Sequence, residues 1–320
     1  MTDIVALGEI LIDFTPNGVN EQGIALFARN PGGAPANVLA MNTKLGGTSA
    51  FIGKVGADGF GIYLRKVLQE SGIDDTGLVE DGNVPTTLAF VQLDEDGDRS
   101  FSFYRKPGAD MMLDASEVRK DLIERCCIFH FGSVSLTDEP CRSAAFEAVA
   151  YARKLGKLIS FDPNYRPLLW ENEEAAREQI LLGVGMTDIL KVSDEEMTLI
   201  TGQTDPALGT RALMKMGPSV VLVSLGAKGA YYRNEVCEGW LPAYDVQTID
   251  TTGAGDAFVG AMLWQLRERS VKELRTMELC DMVEFANAAG SLTTTRTGAI
   301  PALPTLEEIR ACCRENRELV

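Results

Sequence analysis

Short apolar runs alternate along this chain with longer amphipathic stretches. Ile4-Val5-Ala6-Leu7 predicts a first strand, and residues 34–45 predict a helix stopped by Gly46-Gly47. Ala50-Phe51-Ile52-Gly53 predicts a short strand, and residues 59–71 the next helix. Strand-like runs recur at 127–131, 158–161, 189–192 and 220–224, with helix-like stretches at 139–155 and 173–182 between them. Strands separated by helices of this length predict βαβ units, hence an α/β fold with a mostly parallel sheet buried by helices on both faces.

Two regions break the rhythm. Residues 11–27 scatter Phe14, Ile24, Leu26 and Phe27 among the turn formers Pro16, Asn17 and Gly18. Residues 88–93 and 100–104 flank an acidic, glycine-containing turn at 94–98 and read as a hairpin. The pattern leaves open whether these pieces extend the main sheet or form a small sheet of their own, which over a cleft would act as a lid. The chain has no internal repeat, low-complexity tract or proline-rich linker.

Composition narrows the function classes. A chain of 320 residues, 45% hydrophobic, supports one large domain with a small appendage. Its net charge of −16 argues against nucleic acid and an anionic membrane surface as partners. The N-terminus Met1-Thr2-Asp3-Ile4 lacks a basic, then apolar, leader, so no signal peptide is expected, and no run is apolar for long enough to span a bilayer. Seven cysteines without a Cys-x-x-Cys read as thiols of a cytoplasmic protein. One histidine, His130, lies in an apolar run and reads as a core residue rather than a base or zinc ligand. Gly53-Lys54-Val55 lacks the glycine spacing of a P-loop, and no Gly-x-Gly-x-x-Gly opens the first helix.

The chemistry concentrates in Asp250-Thr251-Thr252-Gly253-Ala254-Gly255-Asp256-Ala257-Phe258. It follows a strand-like 246–249 and opens an apolar helix at 257–266. Small residues at a helix start leave the amides of Gly253, Ala254 and Gly255 without helical partners, at the positive end of the dipole, where an anion fits. Asp256 in the first turn is a carboxylate able to take a hydroxyl proton. A base beside an amide-lined anion hole supplies the parts that phosphoryl transfer needs.

That string resembles the C-terminal signature of the ribokinase-like (PfkB) carbohydrate kinases, and the resemblance extends over nearly the whole chain. Gly32-Gly33-Ala34-Pro35-Ala36-Asn37-Val38 resembles the first family signature, and Asp13 the family's sugar-binding aspartate. The resemblance implies a three-layer α/β/α domain over residues 1–320, with a β lid from segments of about 11–30 and 87–108. It also implies a sugar held by Asp13, Gly32, Gly33, Asn37 and Asp256. Residues 103–110, 129–136 and 162–166 are similar to the fructokinase-like branch, which adds Arg105, Asp110 and Arg166 beside the sugar and makes fructose the expected substrate. Other acceptors of the family, 2-keto-3-deoxygluconate, ribose or a nucleoside, remain alternatives, as does a sugar sensor that keeps the scaffold without catalysis. Arg105 and Arg166 leave an acid substrate open. Gly108 and Tyr165 depart from the branch, where serine and leucine are usual.

For the nucleotide, the resemblance implies ATP contacts by Asn164, Lys191, Ser193, Ser224, Gly226, Gly229, Asn287 and Gly298. Glu196 is the expected carboxylate holding Mg²⁺ through water, with Ser193 standing where the family has asparagine. Ser193 also reads as a helix cap. Carbonyls near Asp250 and Thr252 are the expected site of a potassium ion. Apolar outer positions on the lid would let two copies pair as a homodimer.

Overall fold

The apolar runs become strands because they are buried on both faces, which only a sheet sandwiched by helices allows. A computed structural model describes residues 1–93, 99–267, 269, 274 and 276–317. Its strands are β1 (Thr2–Leu7), β2 (Leu11–Val19), β3 (Ala25–Gly32), β4 (Ser49–Gly56), β5 (Ile73–Asp81), β6 (Leu88–Leu93), β7 (Arg99–Tyr104), β8 (Cys126–Gly132), β9 (Leu158–Asp162), β10 (Ile189–Ser193), β11 (Val220–Ser224), β12 (Ala230–Asn234) and β13 (Glu238–Leu241). The α-helices are α1 (Ala34–Lys44), α2 (Gly59–Glu70), α3 (Lys120–Arg125), α4 (Cys141–Lys154), α5 (Glu173–Gly185), α6 (Asp194–Thr201), α7 (Pro206–Met214), α8 (Ala254–Leu266), α9 (Thr276–Thr293) and α10 (Leu306–Arg317).

Nine strands form the main sheet in the order β13-β12-β11-β10-β9-β8-β1-β4-β5. The seven from β11 to β5 run parallel, and β12 and β13 close one edge antiparallel. Alternation along each strand divides the core in two. Ile4 and Ala6 join the cluster that packs α1, α8 and α9, while Val5 and Leu7 join the cluster around α4 and α5. The expected three-layer α/β/α architecture is therefore present. No helix among the described residues is long and apolar enough to cross a membrane.

The chain proceeds from β1 outward to β4 and β5, then returns to β8 and continues the other way. Strand order thus reverses at β1, and crevices for ligands form at the carboxyl ends of strands flanking such a point. The two segments that broke the pattern form a separate four-stranded sheet, in the order β3-β2-β6-β7. Its β2–β6 pair is parallel and its outer pairs are antiparallel. The acidic turn expected at 94–98 lies outside the described residues.

One expected strand is absent. Residues 246–249 are irregular, because the amides of Ile249 and Asp250 donate to the Thr294 carbonyl beyond α9, at 2.7 and 3.1 Å, and not to a neighbouring strand. The helix after them starts at Ala254, three residues earlier than its apolar pattern suggests. His130 is buried in β8 with Nδ1 3.0 Å from Ser160 Oγ, and burial lowers its pKa to about 3, so it stays neutral in the core.

Candidate active site

A cavity of about 670 Å³ opens at the carboxyl end of the main sheet beneath the small sheet. The small sheet contributes Leu11, Asp13, Val91 and Phe103, and the main domain contributes Asn37, Lys191 and the turn 249–256.

The turn into α8 depends on glycine. Gly253 has φ 78°, a left-handed conformation, and a Cβ there would lie 2.7 Å from the Ala299 Cβ. Gly255 faces Lys191, whose Nζ would be 3.2 Å from an added Cβ. Gly253 and Gly255 both line the cavity. Ala254 differs from the sequence expectation. Its amide closes the turn onto the Thr251 carbonyl at 3.3 Å, and it is not part of the cavity wall.

Asp256, in the first turn of α8, is buried and accepts a 2.8 Å hydrogen bond from Asn37 Nδ2 on α1. Burial raises its pKa, opposed by the Asn37 hydrogen bond and by the charges of Lys191 and Arg166. The amide orientation leaves Asn37 Oδ1 buried without a partner. α1 and α8 touch closely at Gly260, where a Cβ would stand 2.6 Å from Met41 Cβ and 2.7 Å from the Val38 carbonyl.

Gly32 and Gly33 make room for the opposite wall. A Cβ on Gly32 would overlap the Asp13 carboxylate, so glycine lets that side chain lie flat on the backbone. Gly33 has φ 111°, and its Cβ would collide with the Glu9 carbonyl. Asp13 has its pKa raised to about 6 by burial, with Arg166 opposing and Asp256 adding. Arg166 is exposed at the cavity wall, and among the described residues it is hydrogen-bonded to the carbonyls of Asn164 and Tyr165.

Below the glycine turn, Lys191 on β10 pairs with Asp162 at the end of β9, 3.0 Å apart and both buried. Burial works against the ammonium, but Asp162, Glu196 and Asp256 together raise its pKa, so it stays charged. Burial raises the Asp162 pKa, and the Lys191 charge works against it. Asn164, two residues on, adopts φ 47° and lines the cavity.

Glu196 and Ser193 form a reciprocal cap: Ser193 Oγ accepts the Glu196 amide at 3.1 Å, and Glu196 Oε2 accepts the Ser193 amide at 2.7 Å. Glu196 Oε1 accepts the Tyr165 amide at 2.6 Å. The capping reading of Ser193 therefore holds. Among the described residues no group of three or more His, Cys, Asp or Glu is placed to hold a metal. Each Glu196 oxygen keeps a second lone pair, so the residue suits a hydrogen bond to metal-bound water better than direct ligation.

Of the remaining candidates, Asp250 and Thr252 line the cavity and the others stand apart from it. Arg105 and Asp110 are a buried pair, each side chain 3% exposed, with Nε to Oδ2 2.7 Å. The other Arg105 nitrogens donate to Thr137 Oγ1 at 2.8 Å and to the Val134 carbonyl at 2.9 Å, so its charge is spent behind the cavity wall. Ser224, Gly226 and Gly229 sit in or beside the β11–β12 turn. Asn287 on α9 donates to the carbonyls of Leu241 and Pro242. Gly298 gives its amide to Asp250 Oδ2 at 2.9 Å, while Asp250 Oδ1 takes the Thr252 amide and hydroxyl. Two residues of the site, Glu9 and Asp162, escaped sequence reasoning. For Glu9 the available signal was an acidic residue between two apolar runs, Ile4–Leu7 and Ile10–Ile12, where a carboxylate needs a reason.

The model of the pfkB family carbohydrate kinases matches residues 1–306. Fructokinase-1 of Zea mays is 45% identical over 317 residues, covering 96% of each chain. The fructokinase of Xylella fastidiosa with bound ATP superposes with a TM-score of 0.92 at 32% identity, over 99% of this chain and 100% of that one. A double mutant of the Vibrio cholerae O395 fructokinase, in its fructose, ADP and potassium ion bound form, superposes at 0.89 with 35% identity and 98% coverage of both.

Removing Lys191 tests the charge balance under the glycine turn. Lys191→Met leaves Asp162 buried and unpaired, which is expected to destabilise the fold by roughly 3 kcal/mol or more. A carboxyl whose folded pKa lies above its unfolded value loses stability as pH climbs between the two. The loss measured by chemical denaturation should therefore be larger at pH 8 than at pH 6. Adding Asp162→Asn should remove most of that difference; an equal loss at both pH values would contradict the pairing.

Proposed function

Because the chain belongs to the pfkB family of carbohydrate kinases, we propose that it transfers the terminal phosphoryl group of ATP to the primary hydroxyl of fructose, giving fructose 6-phosphate. The observation that carries this reading is the meeting of the Asp256 carboxylate with the Gly253 and Gly255 backbone in one cavity, opposite Asp13 and Asn37.

The sugar binds under the small sheet, with Asp13 and Asn37 taking its hydroxyls and Gly32-Gly33 letting backbone approach it. Asp256 accepts the proton of the reacting hydroxyl. The Gly253 and Gly255 amides, with Lys191 and Arg166, receive the charge of the moving phosphoryl group. Magnesium, when bound with ATP, neutralises phosphate charge, and Glu196 would hold its water. Asn164, Ser193, Ser224, Gly226, Gly229, Asn287 and Gly298 serve the nucleotide, and the Asp250–Thr252 loop the potassium ion. The small sheet closes as a lid and keeps water from competing as acceptor. Val19, Leu26 and Phe27 on that sheet and Ile24 in its β2–β3 connection are exposed, which supports pairing with a second copy. Seven cysteines present as thiols accord with a cytoplasmic protein.

A neutral acceptor fits better than a sugar acid. The cavity lining carries Glu9, Asp13, Asp250 and Asp256 against Arg166 and Lys191. Arg105, which could have bound a carboxylate, is already neutralised by Asp110.

ADP release should be measured with fructose, mannose, glucose, ribose and 2-keto-3-deoxygluconate. Fructose is expected to give the highest kcat/KM, and Asp256→Asn to lower kcat by about 10²–10⁴. Better turnover of the keto acid, or an unchanged kcat in Asp256→Asn, would overturn the reading.

The pH profile gives a second check. Ionised Asp256 is the active form, so kcat/KM should fall on the acid side. Asn37→Leu removes the strongest influence lowering the Asp256 pKa, so its acidic limb should move to higher pH. A limb that stays in place would separate Asp256 from the observed ionisation.

A further inference from the structure

Glu9 lies in the loop after β1, where strand order reverses, and forms part of the cavity wall. It is 4% exposed. Its two oxygens differ. Oε1 accepts the Ala34 amide at 3.0 Å and so caps α1, whose own N-cap residue, Gly33, has no side chain to do it. Oε2 is buried with no hydrogen-bond partner. The nearby guanidinium does not reach it: the Arg105 hydrogen bonds go to Asp110, Thr137 and Val134.

A buried carboxylate oxygen without a donor is rare in folded proteins and costly to keep, unless a ligand completes it. Burial raises the Glu9 pKa to about 7, opposed first by its own backbone amide and then by the Ala34 amide and the Arg105 charge, with the charge of Asp110 adding. The same wall holds Asp13, and Asn37 stands one turn beyond Ala34 on α1 with an oxygen that also lacks a partner.

We propose that Glu9 is a substrate-contacting residue: Oε2 accepts a hydroxyl of the sugar other than the one phosphorylated, so that Glu9, Asp13 and Asn37 read the acceptor together. This rests on the fructose-kinase reading above. The reacting hydroxyl must lie at Asp256, leaving the other hydroxyls for the remaining acceptors. Above pH 7, where Glu9 is ionised, a carboxylate on the acceptor at this place would meet a second negative charge, so Glu9 then also selects against sugar acids.

The test is a cycle between protein and sugar. Glu9→Ala and Glu9→Gln are assayed with fructose and with monodeoxy analogues that each lack one hydroxyl, and fructose binding is titrated calorimetrically without ATP. The glutamine variant can still cap Ala34 and serves if the alanine variant does not fold. Glu9→Ala should raise the fructose KM about tenfold or more, the loss of one hydrogen bond to a buried charged group, while the ATP KM changes less than twofold. One analogue should bind the unaltered enzyme and the variant equally weakly, because the contact is already missing. An unchanged fructose KM, or a loss equal for all analogues, would reduce Glu9 to a helix cap and overturn the proposal. Failure of the unaltered enzyme to phosphorylate fructose would overturn both this inference and the reading beneath it.

Discussion

The hydrogen bond from Asn37 to Asp256, 2.8 Å long between residues 219 positions apart, is the constraint around which the site is organised. It joins the first turns of α1 and α8, and it forms only because those helices approach closely at Gly260. The same bond fixes which way the Asn37 amide points and holds down the pKa of a carboxylate that burial pushes up. Packing, orientation and acidity at the candidate base therefore share one contact. A side chain at Gly260 would disturb all three without touching the cavity.

Charge is the second organising element. A strongly acidic protein has to present an anion with local positive potential, and here it comes from three sources. Gly253 and Gly255 line the cavity at a glycine turn, Lys191 is kept charged by three surrounding carboxylates, and Arg166, exposed at the wall, is bonded among the described residues to the carbonyls of Asn164 and Tyr165. Such fixed groups need little rearrangement when charge develops. The opposite wall, with Glu9 and Asp13, is acidic and suits hydroxyl groups. The cavity is thus polarised, with Glu9 and Asp13 on one wall and Lys191 and Arg166 on the other.

Much of this was legible in the sequence, for identifiable reasons. Gly33 and Gly253 sit where backbone geometry excludes other residues, and Gly32 where a Cβ would overlap the Asp13 carboxylate. The two helical layers followed from alternation in runs such as Ile4–Leu7. Arg105 shows the limit. Its motif resembles a sugar-facing segment, yet its partner Asp110 is only five residues away and the pair closes on itself inside the wall. Lys191 and Asp162 meet through sheet neighbours β9 and β10, a contact that depends on strand order and not on local spacing. The 246–249 segment misled because an alternating apolar pattern also suits a chain tethered to a helix end.

The most direct measurement is a crystal structure with fructose, ADP, magnesium and aluminium fluoride, which mimics the phosphoryl group in transfer. The account requires the fluoride complex to sit on the Gly253 and Gly255 amides, with the primary hydroxyl of the sugar between it and Asp256. A complex bound elsewhere, or a sugar whose primary hydroxyl turns away from Asp256, would contradict it.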